Sequence, residues 1–136
     1  MTETAFYTRL DGRGVVRVSG ADAGAFLQGL VSNDVGKLGA EEQEASQAER
    51  LNGKDKCVYA CLLSPQGKFL FDMFITRDGG DYVLECEGGA RAAALGKKLS
   101  MYRLRSAVEI VVEEDMSVYA VFGVDVGVAD PRHAEM

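Results

Sequence analysis

The stretch Lys68–Thr76, KFLFDMFIT, does more than any other part of the sequence to limit what this chain can fold into. Side chains alternate across a strand, so Phe69, Phe71, Met73 and Ile75 fall on one face and Lys68, Leu70, Asp72, Phe74 and Thr76 on the other. A second β-like run, Cys57–Leu63, precedes it, and Ser64-Pro65-Gln66-Gly67 joins the two with residues suited to a tight turn. Asp78-Gly79-Gly80-Asp81 makes a further turn into Tyr82–Cys86. The three runs predict an antiparallel meander.

The flanking sequence supplies helices. Val15–Val18, entered through Gly12-Arg13-Gly14, reads as a strand. Ser19-Gly20-Ala21-Asp22 carries a Ser-x-x-Asp pattern in which Ser19 caps a helix start and Asp22 reaches back. Phe26, Leu27, Leu30 and Val31 then form one apolar stripe, ended by Ser32-Asn33-Asp34 and Gly36. Residues 39–56 hold almost no large apolar side chain and read as an exposed, mobile connection. Gly88-Gly89 leads into a helix over Ala90–Leu99, and Val108–Val112 and Val118–Val124 read as two strands separated by the acidic turn Glu113-Glu114-Asp115. The order β-α-β-β-β-α-β-β predicts an α+β fold, an antiparallel sheet with its helices packed on one face.

The 136 residues fit one domain with a core of its own, and 47% hydrophobic with 26% charged residues excludes an extended disordered chain. A formal charge of −6 argues against a nucleic-acid partner, since phosphate binding needs a basic face. No apolar run approaches the roughly 20 residues of a membrane span, and MTETAFYTRLDGRG lacks the pattern of a secretory signal, so a cytoplasmic protein is expected. Cys57, Cys61 and Cys86 are an odd number, and C-x3-C with His133 as the single histidine offers no set of metal ligands. All three cysteines are expected to be small buried core residues.

Two places carry candidate chemistry. Asp72 breaks the rule of its strand, a carboxylate flanked on its own face by Leu70 and Phe74. Such a group is beside a cavity, paired, or pushed toward its protonated form, unless that face is solvated. Tyr102-Arg103-Leu104-Arg105 presents two guanidinium forks that suit a carboxylate-bearing ligand, or a solvated helix end. No P-loop, G-x-S-x-G elbow or Cys/His nucleophile pair is present.

Three blocks, RGVVRVSGADAGAFLQGLVSNDV, YACLLSPQGKFLFDMFI and MYRLRSAVEI, together resemble the N-terminal half of the YgfZ-type folate-binding proteins. These are relatives of the glycine-cleavage T protein, an aminomethyltransferase. The resemblance implies tetrahydrofolate as ligand, in a cavity between domains, and a role in assembly or repair of iron–sulfur clusters. It places Asp72 on the ligand, Asn33 beside it at the end of the first helix, and Arg103 and Arg105 on the ligand's glutamate carboxylates. The expected partners are folate, iron–sulfur client proteins or a missing C-terminal half.

The T protein's G-x-x-x-D-D motif corresponds to Gly67–Asp72, where Phe71 replaces the first acid. That departure speaks against aminomethyl transfer, the alternative activity; a non-catalytic interaction domain is the third reading. The YgfZ motif K-G-C-[FY]-x-G-Q-E is not in this sequence, and in the family it lies in the second half. The resemblance therefore implies that residues 1–136 are the front portion of a longer protein.

Overall fold

The computed structural model describes residues 5–39 and 57–123. The elements are β1 (Ala5–Arg9), β2 (Arg13–Ser19), α1 (Ala23–Gln28), a 3-10 turn (Val35–Leu38), β3 (Val58–Leu63), β4 (Phe69–Asp78), β5 (Asp81–Glu87), α2 (Ala90–Tyr102), β6 (Glu109–Glu113) and β7 (Tyr119–Gly123). The meander forms as the sequence predicts, with Ala60 opposite Met73 and Ile75 opposite Leu84. It is part of a five-stranded antiparallel sheet in the order β3-β4-β5-β2-β6.

One face of that sheet is the core. Val58, Ala60 and Leu62 on β3, Phe71, Met73 and Ile75 on β4, Tyr82, Leu84 and Cys86 on β5, and Val16 and Val18 on β2 are all buried. Phe26 and Leu27 of α1, Val35 and Leu38 of the 3-10 turn, and Ala92, Leu95 and Leu99 of α2 pack onto them. The helices thus lie on one face, as expected. Gly96 allows α2 to approach β6, since a Cβ there would stand 2.7 Å from Cγ2 of Val112. The opposite face carries Tyr59, Phe74 and Val111 in the open, among the charged groups of Arg13, Arg17, Asp72 and Glu85.

Several expectations are corrected. Ser19 is the last residue of β2 and not a helix cap. The cap position belongs to Asp22, whose carboxylate accepts from the backbone N–H of Ala107 at 2.7 Å and not from its own helix. Gly20 sits between them at φ +112, where a Cβ would lie 2.3 Å from the carbonyl oxygen of Ala107, so the chain can turn there only as glycine.

Helix α1 stops at Gln28. Leu30 and Val31 lie past its end, packed against the core, and Val31 bridges Leu62 of β3. The last two strands form as expected but enter different sheets. β6 joins the main sheet beside β2, while β7 pairs with β1, a strand not expected from the sequence, in a separate two-stranded ribbon. Of the cysteines only Cys86 is buried; Cys61 is half-buried on the open face and Cys57 is exposed. The polar connection at 39–56 falls outside the described residues except for Gly39.

Candidate functional site

Asp72 points to the open face, since its strand neighbours Phe71 and Met73 face the core. Of the settings open to it, the paired one holds. The hairpin register sets Cys61 opposite Asp72 and Tyr59 opposite Phe74, and the phenolic hydroxyl of Tyr59 donates to Asp72 Oδ2 at 2.6 Å. That bond, ahead of the carboxylate's charge, pushes the Tyr59 phenol up to about 12. Tyr59 also leans on Phe74, ring centroids 5.3 Å apart, and both remain open to solvent at 49% and 43% exposure. Among the described residues Oδ1 of Asp72 accepts no hydrogen bond; the half-exposed carboxylate lies beside the Tyr59–Phe74 aromatic pair and within the field of Arg13.

Asn33 approaches the same cluster from the sheet's edge. Its side-chain amide donates to the carbonyl of Tyr59 at 2.9 Å, while its Oδ1 accepts from the N–H of Asp34 and from Lys37 Nζ. Its neighbour Ser32 donates its N–H to the carbonyl of Cys61 and accepts the N–H of Cys61 on its hydroxyl, at 2.9 and 2.8 Å. Val31–Asn33 therefore covers the outer edge of β3, which would otherwise present unpaired backbone groups. These contacts make Asn33 a brace for the strand that carries Tyr59.

Arg103 and Arg105 are not brought to this cluster. They follow α2 beside Val108, next to β6, with β5 and β2 between that strand and β4. Three strand spacings separate β4 from β6, about 14 Å. Arg103 uses Nη1 on the carbonyl of Val108, and Arg105 is exposed.

The rest of the open face is an ion-pair lattice. Arg13 holds Glu85 with both arms of its fork, and Arg17 reaches Asp78, Asp81 and Glu113 at 3.0, 3.1 and 3.0 Å. The sequence reading missed Tyr59 and this lattice. Tyr59 was within reach of the hairpin argument, because the turn at Ser64–Gly67 brings the two open-face rows together. Burial pushes the Cys86 thiol up. Among the described residues no group of three His, Cys, Asp or Glu side chains is placed to hold a metal ion, and no helix is long and apolar enough to cross a membrane.

This α+β sheet with helices on one face is shared with part of a glycine-cleavage T protein. The glycine cleavage system aminomethyltransferase T from Bartonella henselae superposes with a TM-score of 0.66 at 19% identity, covering 86% of this chain and 28% of that one. Sequence similarity leads elsewhere within the same fold, to iron-sulfur cluster assembly factor IBA57, mitochondrial.

The mouse protein is 35% identical over 119 residues and the human protein 33% over 118, in each case 83% of this chain. A homologue from Mycosarcoma maydis is 36% identical over 103 residues. The chain spans 31% of the length of the mouse and human relatives. No protein-family model matches it. The superfamily resemblance read from the motifs holds at the level of the fold, and the relatives are IBA57 proteins where the motifs suggested the YgfZ type. These relatives also overturn the cytoplasmic expectation, since all three are mitochondrial by name.

Proposed function

We propose that this chain is the tetrahydrofolate-facing part of an iron–sulfur cluster assembly factor, of the kind named in its relatives and related to the YgfZ type. The similarity to the mouse assembly factor, 35% over 83% of the chain, is the observation that carries the assembly role. The folate reading rests on the donor set around Asp72.

A pterin is a flat ring with a row of N–H donors along one edge. Oδ1 of Asp72, with no hydrogen bond from the described residues, is an acceptor for such a row, and a carboxylate acceptor makes the stronger kind of hydrogen bond. Tyr59 and Phe74 offer an exposed aromatic surface for the ring beside it. Asn33 acts one step back, by holding the backbone of Tyr59. Arg103 and Arg105 lie across the sheet and take no part in this arrangement.

The aminomethyltransferase alternative is not favoured, because Phe71 is buried under Arg91, whose guanidinium lies 4.2 Å above its ring. An acid at that position would point into the core and add nothing to the open face. Titrating tetrahydrofolate into the wild type and Asp72→Asn tests the ligand. The substitution should weaken binding about 10- to 100-fold, the worth of a hydrogen bond to a charged group; equal affinities remove Asp72 from the site, and no binding by the wild type removes the ligand. The assembly role is tested separately in cells lacking the protein, where iron–sulfur enzymes should lose activity while enzymes without clusters keep theirs.

A further inference from the structure

The sequence between Glu87 and Glu109 contains no acidic residue and five cations, Arg91, Lys97, Lys98, Arg103 and Arg105. The remaining ten cations stand against all 21 acids, so the rest of the chain carries a formal −11. This basic block is α2 and the turn behind it. At its end Leu104 is 86% exposed and Met101 60%, the two most open large apolar side chains among the described residues. Leu104 is also the one described non-glycine residue with positive φ, at +44. For a branched L-residue that conformation is strained, and strain of this kind persists only where surrounding bonds fix it.

Those bonds are present. The N–H of Ser106 donates to the carbonyl of Arg103 at 2.7 Å, and Arg103 Nη1 reaches the carbonyl of Val108. Asp22 clasps Ala107 in both directions, with its N–H on the Ala107 carbonyl and its carboxylate on the Ala107 N–H. The turn is thus held rigid with an apolar side chain at its tip and an arginine on each side.

We propose that Lys97–Arg105 is a docking knob for a partner protein whose surface offers an apolar pocket rimmed by carboxylates. Leu104 is the anchor, Met101 extends the apolar contact, and Arg103, Arg105 and Lys97 meet the rim. Interfaces of this kind concentrate their energy in a few apolar and arginine anchors, and pre-organised anchors lose less entropy on binding. An anionic bilayer fits the charge of the knob but not of the molecule. A flat membrane would face the net −6 as well as the knob, whereas a protein surface can engage the knob alone. A fixed, strained turn also suits a shaped pocket better than a fluid surface.

The test uses three probes with the wild-type protein: an amphipathic helical peptide with a leucine face bordered by glutamates, the same peptide with lysines for glutamates, and phosphatidylserine vesicles. The glutamate peptide should bind, more weakly as salt is raised, and Leu104→Gly and Arg105→Glu should each weaken it about tenfold. Leu104→Gly should at the same time raise the melting temperature by a few degrees, since glycine relieves the left-handed strain. That separates lost docking from lost folding. Failure of the glutamate peptide to bind, equal binding of the lysine peptide, or vesicle binding as strong as peptide binding would overturn the proposal. So would a fall in melting temperature for Leu104→Gly.

Discussion

Tyr59 gives its phenolic hydrogen to Asp72, and the loss of that proton would set two negative charges side by side on an open sheet face. The consequence is measurable in a titration followed by tyrosinate absorbance. Tyr59 should ionise late, near pH 12, above its ordinary value of 10.0. Because the folded value is raised, the bond's contribution to stability is complete below pH 10 and disappears as the pH climbs through about 12. Tyr59→Phe should delete the late step, and Asp72→Asn should move it back toward 10.0. If the late step survives Asp72→Asn, the hydroxyl is not held as described. Asp72 itself was legible from the sequence as an acid inside an apolar alternation. Its partner was not singled out, because an exposed tyrosine on a strand is unremarkable until the hairpin register places a carboxylate diagonally across from it.

At the scale of elements, strand β2 is the keystone of the polar face, and Arg17 is what it brings there. One guanidinium ties the β4–β5 turn, through Asp78 and Asp81, to β6 through Glu113. Arg17→Met keeps most of the side chain's apolar length while leaving three carboxylates without their shared cation. A loss of about 1–3 kcal/mol is expected by chemical denaturation, discounted for the partial exposure of the cluster. Added salt should restore part of it in the variant and little in the wild type, since it screens repulsion that only the variant carries.

Other elements show why some of the fold could be read and some could not. β4 was legible because Phe71, Met73 and Ile75 repeat with period two and face a core, while α2 was legible from its helix-forming residues. α1 was over-extended because Leu30 and Val31 continue an apolar spacing but serve different contacts, one on the core and one at the edge of β3. Asp22 reads as a local cap, and only the return of residue 107 to the same corner shows what its carboxylate holds.

For the whole molecule, the early and late parts of the described chain meet twice, at β2 with β6 inside the main sheet and at β1 with β7 outside it. An alternation of five residues cannot announce a partner at the far end of the chain, so β1 went unread and β7 was read as a strand without a partner. Arg9 pairs with Tyr119, which closes a loop of about 110 residues. The main sheet already spans nearly the same distance where β2 pairs with β6, Val15 opposite Glu113, so the ribbon differs from it in being a lone pair of strands with no sheet on either side. A two-stranded ribbon is marginal by itself, so it is the part of the fold expected to open first. Amide exchange should show this as fast exchange in β1 and β7 beside strongly protected amides at Met73, Ile75 and Leu84. Ribbon amides protected as well as those of the central strands would contradict it. The seam where residues 5–19 meet residues 109–123 is therefore graded, firm where β2 and β6 belong to the five-stranded sheet and loose where β1 and β7 stand as a lone pair with Phe6 and Tyr7 exposed.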